Sequence, residues 1–321
     1  MGGWDGLAVD AVAHRIVHGG ARFREPVLVN AEVRRGIAEL RALAPLHNTS
    51  ALEALDRAQH AFPDQPHVAV FDTAFHATIP PAAATYALPR QWREEWGLRR
   101  YGFHGLSVQW AAEQVRVPRL VVCHLGGGSS VTAVRDGRSV DTTMGFTPLS
   151  GVPMTTRSGS IDPGALVYVA RRHGLDPDAL DHALNFDAGL RGLAGGSGDL
   201  RELEQRDDEA AILALDVFVH RLVTAVAAMA ASTGGLDALV FTAGIGEGSA
   251  LVRERVCARL GFLGVALDAE RNEACRPDCD IGADGSPVRV VVVRAHEELI
   301  AARAARQVLG QHAAGISGAA P

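Results

Sequence analysis

The sequence predicts an α/β protein. Three observations carry that reading. Short apolar, β-branched runs alternate with segments of helical spacing. Glycine clusters stand at the ends of two of those runs. The composition, 47% hydrophobic and 21% charged, suits a layered globular fold. A chain of 321 residues is long enough for one large domain or two ordinary ones.

Taken in order, Val12–Val17 reads as a strand ending in a His18-Gly19-Gly20 turn. Ala31–Ala44 has helical spacing, with Val33, Ile37 and Leu40 on one face. His67–Phe71 is a short apolar run of the buried-strand kind. Leu120–His124 is another, and it leads into Gly126-Gly127-Gly128. Ser130–Arg135 and Arg138–Thr142 alternate about Asp136-Gly137, a strong hairpin signal. Asp207–Ser232 predicts a long helix, with Asp207 or Asp208 as N-cap and Gly234 as stop. Ala238–Phe241 reads as a strand before the glycine loop Gly244–Gly248, and Ser249–Leu260 as a helix. Val288–Val293 reads as a strand and His296–Leu309 as the closing helix. The tail His312–Pro321 is small and polar and is expected to fray.

Several classes of function fall away. A net charge of −6 gives no nucleic-acid footprint. The uncharged apolar run around Leu222–Ala231 is short for a bilayer span. The first residues show no basic stretch followed by an apolar one, so no secretory signal is read and the cytoplasm is expected. All 31 basic residues are arginine, which excludes a Walker A lysine and any Schiff-base lysine. Phosphate or carboxylate must then be held by arginine, histidine, backbone N–H groups or a metal. Cys123, Cys257, Cys275 and Cys279 are too scattered for a disulfide scaffold. Cys275 and Cys279 lack a second ligand pair for zinc and read as ordinary loop cysteines.

The two glycine loops, His124–Ser130 and Gly244–Gly248, could let backbone N–H groups approach a phosphate. Each alone fits a tight turn equally well. The second loop resembles a degenerate dinucleotide fingerprint, with Asp268 where a ribose-binding acid could sit, but its third glycine comes one residue early. The first runs into a hairpin rather than a helix. A serine hydrolase is dropped, because no G-x-S-x-G elbow occurs.

Polar residues interrupt apolar segments at His14-Arg15, His47, Asp72, His104 and Arg157. Singly, each reads as structural. Together, arginines, histidines and a carboxylate near strand ends suit phosphoryl transfer. That chemistry surrounds a moving PO3 group with positive charge and needs an acid to hold Mg2+ or the acceptor.

Eight stretches, in order and across nearly the whole chain, resemble the acetate/propionate kinase family. They are HRIVHGG (His14–Gly20), APLHN (Ala44–Asn48), VFDTAFH (Val70–His76), YGFHGLS (Tyr101–Ser107), HLGGGSS (His124–Ser130), DTTMGFTPLSGVPMTTRSGSIDP (Asp141–Pro163), FTAGIGEGSALVRE (Phe241–Glu254) and HEELIAAR (His296–Arg303). The resemblance implies an actin-like ATPase fold, two related α/β domains around a cleft. The first would comprise 1–75 plus 299–321 and the second, nucleotide-binding, 76–298. It implies reversible, Mg2+-dependent (or Mn2+-dependent) transfer from ATP to acetate or another short carboxylate, in a homodimer with no nucleic-acid or membrane partner.

By the same resemblance Arg15 would bind the carboxylate, and Asp72 would be the active-site acid. His104 and Arg157 would stabilise the moving phosphoryl group, with His47 lining the same centre. Glu297 would hold the metal through water, with Glu298 as its less favoured neighbour. Val17, Leu46, Phe103 and Pro148 resemble the pocket around the acyl methyl. The loop of His124, Leu125, Gly126, Gly127 and Gly128 would touch the phosphates. Asp199, Leu200 and Arg201, with Gly244, Ile245, Gly246, Glu247 and Gly248, would hold the adenosine.

The sequence also departs from the family pattern. The upstream N-x-G-S-S-S-x-K segment is missing, which implies an N-terminally truncated first domain with exposed sheet edges. Gly127 and Gly248 stand where the family has Asn, Val108 for His, Ser160 for Asp and His296 for Asn. Three readings stay open: a working carboxylate kinase whose start is recorded too late, acetate- or propionate-preferring; a truncated, impaired remnant; and a non-catalytic nucleotide- or partner-binding protein.

Overall fold

The computed structural model describes residues 8–42 and 45–317, with the side chains of residues 42, 45–47 and 313–317 outside that description. The chain divides into two compact units. One comprises residues 1–77, 103–106 and 296–321, the other residues 78–102 and 107–295. In this division residues 76–77, segment 103–106 and residues 296–298 group with the first unit.

The first unit holds a three-stranded sheet of β1 (Val12–Ile16), β2 (Val27–Leu28) and β3 (His67–Phe71), ordered β1-β3-β2. β1 pairs parallel to β3 in the register Arg15↔Val70. A parallel pair needs a long crossover. Here it runs through α1 (Ala31–Glu39) and α2 (Pro45–Ala61). The Asn30 carboxamide caps α1 by accepting from the Val33 N–H at 2.8 Å. The expected helix over Ala31–Ala44 is shorter: α1 tightens into a 3-10 turn at Leu40–Ala42, and the remainder lies outside the described residues. β3 is buried throughout, and the helix Glu297–Ser317 packs on β1 and β3. That helix runs beyond the expected end at Leu309. Ile16, Phe23, Ile37, Leu52, Ala69 and Phe71 form the core, with the Phe23 and Phe71 rings stacked at 4.9 Å.

Two histidines interrupt this apolar sheet. His14 donates from Nε2 to His67 Nδ1 at 2.8 Å, and His67 Nε2 in turn reaches the Phe62 carbonyl at 3.0 Å. Burial, reinforced by His67, lowers the His14 pKa to about 4.

The second unit holds a six-stranded sheet. Its strands are β4 (Arg119–Leu125), β5 (Ser129–Arg135), β6 (Arg138–Thr142), β7 (Ala238–Thr242), β8 (Cys279–Asp280) and β9 (Arg289–Val292), in the order β6-β5-β4-β7-β9-β8. β4, β7 and β9 run parallel at its centre, flanked by antiparallel pairs. The β5–β6 hairpin turns where expected, with Asp136 at φ 51° and Gly137 at φ 74°, as a two-residue turn of this twist requires.

Four helices of this unit position its site: α3 (Leu200–Leu203), α4 (Glu209–Thr233), α5 (Ala243–Gly248) and α6 (Ala250–Cys257). α4 begins on Asp208, whose carboxylate accepts from the Ala211 N–H, and stops on Gly234 in the left-handed conformation. At 25 residues, with an 18-residue window of mean hydropathy 1.8, it is long and apolar enough to cross a bilayer, unlike the shorter run read from sequence. Its stripe of Ala211, Ala214, Leu215, Phe218, Leu222 and Val226 is buried, and it packs on β4 and β5.

Two expectations are corrected. The glycine segment Gly244–Gly248 is not an open loop: with Ala243 it forms α5, a helix of 6 residues. Ala243 makes the turn at φ 66°, and the Glu247 carboxylate accepts the Ala243 N–H at 3.0 Å, capping the turn from within. Cys275 and Cys279 are not separate loop cysteines but a disulfide pair. Cys275 ends α7 (Ala269–Ala274) and Cys279 opens β8, so the loop returns their Cα atoms to 6.2 Å.

Candidate active site

In the first unit a charged cluster forms at the carboxyl ends of β1 and β3. Arg15 lies on β1, Asp72 directly follows β3, and Glu297 opens the last helix. The parallel register brings Arg15 beside Asp72. Its Nε donates to Asp72 Oδ1 at 2.8 Å and its Nη2 to Asp72 Oδ2 at 2.7 Å, a bidentate fork. Its Nη1 donates to Glu297 Oε2 at 2.5 Å. The Asp72 side chain is 1% exposed and that of Arg15 40%.

Burial opposes the Arg15 charge, but Asp72 and Glu297 outweigh it and hold the guanidinium pKa above its ordinary value. Burial, aided by the Asp72 charge and opposed by Arg15, raises Glu297.

The segment 103–106 approaches the same place. The Gly105 N–H donates to the Asp72 carbonyl at 3.0 Å, and a Cβ at Gly105 would collide with that oxygen. Next to it, His104 sits in the left-handed region at φ 59°. For a non-glycine residue that costs about 1–3 kcal/mol, a strain found at functional positions. Phe103, 1% exposed, stands edge-on to His18 at 5.3 Å, and its carbonyl accepts from His76 Nε2 at 2.8 Å. Val17 is partly buried. The side chains of Leu46 and His47 lie outside the described residues.

In the second unit Arg157 donates from Nη1 to the Pro148 carbonyl at 3.3 Å and approaches Met154 Sδ at 3.9 Å. Burial lowers its pKa. Two expected site residues, Arg157 and Pro148, therefore meet.

The same unit carries a pocket of about 450 Å³ lined by Gly126, Gly127, Thr155, Asp199, Leu200, Arg201, Glu204, Gly244, Ile245, Gly248 and Ser249. It unites parts of both glycine segments with the Asp199–Arg201 turn. Asp199 caps α3 through the Arg201 N–H at 3.0 Å, and its carboxylate is also paired with the Arg201 guanidinium. Among the described residues, apart from chain neighbours and the local helix backbone, nothing lies within 4 Å of where a Cβ would sit on Gly127, Gly244 or Gly248.

Five expected nucleotide residues do not line this pocket. His124 is 8% exposed on β4, with Nδ1 2.8 Å from Ser107 Oγ. Leu125 is wholly buried in the apolar core, and Gly128 lies outside the lining. Gly246 packs on the Phe241 backbone. The Glu247 carboxylate is engaged by the Ala243 and Ala295 N–H groups.

Sequence reasoning missed Thr155, Glu204 and Ser249. Ser249 caps α6 through the Val252 N–H at 3.0 Å while its hydroxyl donates to Glu204. A serine directly after a glycine turn and before an apolar run was the signal available for it. Glu204 had none.

Comparison with known proteins supplies the rest. The model of the acetokinase family matches residues 5–303. The chain is 46% identical to an acetate kinase of Protochlamydia amoebophila over 309 residues, 94% of this chain and 78% of that protein. It is 47% identical to an acetate kinase of Gloeobacter violaceus over 311 residues, 93% of this chain and 76% of that protein. Among solved structures it resembles a propionate kinase from Francisella tularensis at TM-score 0.88 and 40% identity, covering 92% of this chain and 78% of that one. It resembles Porphyromonas gingivalis acetate kinase at TM-score 0.88 and 38% identity, covering 94% and 78%. The architecture is therefore the actin-like ATPase fold of these kinases, and the chain belongs to the acetokinase family.

Proposed function

We propose that this chain is an acetate kinase, transferring the terminal phosphoryl group of ATP to acetate, reversibly and with Mg2+, to give ADP and acetyl phosphate. The observation that carries the reading is the Arg15–Asp72–Glu297 cluster in a chain of this family. A carboxylate oxygen of acetate attacks the γ-phosphorus, the new O–P bond forms, and the bond to the ADP oxygen breaks. No proton changes hands and no enzyme nucleophile is needed, so the work is positioning and charge.

Arg15 would take the acetate carboxylate, since its fork already holds one carboxylate in a bidentate grip. Asp72 would hold Arg15 in place. Arg157 of the second unit would stabilise the moving phosphoryl group, a role the family resemblance also gives to His104 and His47. The pocket of the second unit would take the adenosine through Asp199, Leu200, Arg201, Gly244, Ile245 and Gly248.

Asp72 and Glu297 are oxygen donors of the kind a hard cation prefers. Among the described residues no group of three or more His, Cys, Asp or Glu gathers. Mg2+ binds through one or two carboxylates and keeps its waters. Glu297 is the proposed ligand, through water, with Mn2+ as a substitute; when bound, the ion would offset charge on the phosphates. A homodimer in the cytoplasm completes the proposal.

Propionate is the second reading, favoured by the likeness to a propionate kinase. An apolar pocket of the kind the family resemblance implies around the acyl methyl would separate the two acids by only about 1–3 kcal/mol. The test traps acyl phosphate with hydroxylamine, using acetate or propionate with ATP and Mg2+. Product formation abolished by Asp72→Asn supports the proposal. A cooperatively folded chain that binds ADP and forms no product overturns it in favour of nucleotide binding alone.

A further inference from the structure

The helical turn that walls the pocket is held from behind by a buried cation. Arg253 stands on α6 and is 2% exposed. Its Nη1 donates to the Gly246 carbonyl at 3.0 Å and to the Glu247 carbonyl at 2.8 Å, both on α5. Its Nε donates to Asn272 Oδ1 at 2.8 Å and its Nη2 to the Asn272 carbonyl at 3.0 Å. All four acceptors are neutral. Asn272 is itself 2% exposed and anchored, its Nδ2 donating to the Ala250 carbonyl at 2.9 Å. One side chain thus ties α5 to α7.

A buried guanidinium is costly, and burial lowers the Arg253 pKa accordingly. Filling the space needs only an apolar side chain of similar size, so packing alone does not explain an arginine here. The carbonyls at the end of a helix, however, lack donors of their own. α5 is short, and two residues that line the pocket, Gly244 and Gly248, have no side chains to fix it. The Glu247 carboxylate secures the first turn at the Ala243 N–H, and Arg253 secures the last.

We propose that Arg253 is a positioning residue for the nucleotide: by fanning its donors over the Gly246 and Glu247 carbonyls it fixes the Gly244–Gly248 wall against which the nucleoside binds. The inference rests on the nucleotide reading of that pocket. It predicts a selective effect. Loosening the fan weakens ATP and ADP and leaves acetate binding intact.

The test compares the wild-type chain with Arg253→Lys, which keeps the charge but not the fan, and with Asn272→Ala, which frees Arg253 from behind. Thermal melts, ADP titration calorimetry and steady-state kinetics are read on each. For Arg253→Lys the expected result is a cooperative melt, with ATP KM and ADP Kd raised about 10-fold. Acetate KM stays within about twofold and kcat within about threefold, while Asn272→Ala shifts ATP KM in the same direction by less. A folded Arg253→Lys with unchanged ADP Kd overturns the inference and leaves the proposed function standing. So does a joint loss of kcat and both KM values in step with the unfolded fraction. A wild-type chain that binds no ADP overturns both.

Discussion

Arg15 and Arg253 solve the same electrostatic problem in opposite ways. Arg15 is 40% exposed in its side chain and rests on two carboxylates. Arg253 is 2% exposed and rests on three carbonyls and a carboxamide. A cation balanced by charges at an open strand end can trade one anion for another, which a substrate carboxylate requires. A cation balanced by fixed dipoles in the interior has nothing to trade and holds the backbone still. The first arrangement suits exchange, the second shape.

The comparison breaks first at Arg15. With Arg15 taking the acetate carboxylate as proposed, Arg15→Ala should lower kcat/KM for acetate at least about 100-fold, because a charged contact to the substrate is lost. Its urea midpoint should fall as well, because the 1% exposed Asp72 carboxylate loses its fork, so kinetics are read where a cooperative melt shows the variant folded. Wild-type kinetics in the hydroxylamine assay would remove Arg15 from the site.

Buried titrating groups extend the contrast. Burial holds both His14 and His76 at a pKa of about 4 against 6.5 unfolded. Between those values the unfolded chain binds more protons, so stability is complete above about pH 6.5 and falls toward pH 4, by on the order of 3 kcal/mol for each group. Urea melts at pH 7 and 4.5 measure the loss, and His14→Leu should flatten the slope. An unchanged slope would refute its share.

Arg253→Met should cost about 2 kcal/mol in urea, because its acceptors stay buried without donors. A stabilised variant would mean that apolar packing outweighs them. The smallest effect is at the edge of the second unit. Asp208→Ala removes the cap of α4 and should cost about 1 kcal/mol, read as a lower melting temperature with activity unchanged.

Much of this was legible from local signals. β3 appears in the sequence as His67–Phe71 and is found there, since an unbroken apolar run bounded by polar residues has few alternatives. The Asp136-Gly137 hairpin and the caps of α4 depend on residues adjacent in the chain, and they held. Arg15 and Asp72 stood out because charges rarely end apolar strands.

What escaped depends on partners distant in sequence or on backbone turns that have no fixed code. The turn of α5 is made by Ala243 in a left-handed conformation, which its sequence does not announce. Nothing in the sequence marks Arg253 as buried until Asn272, 19 positions on, is seen to receive it. The Cys275–Cys279 pair needed the loop between α7 and β8 to be traced before the two thiols could be placed together.

Every cation described at these sites is a guanidinium, and the whole chain contains no ε-amine. The proposed product, acetyl phosphate, is an activated acyl donor, and neutral primary amines are the protein groups it would acylate most readily. A guanidinium stays protonated and delocalised at any working pH and offers no free lone pair. In the proposed roles, Arg15 and Arg157 could therefore handle the product turn after turn without being capped by it. In chemical terms, the guanidinium groups that grip the reaction are inert to what it makes.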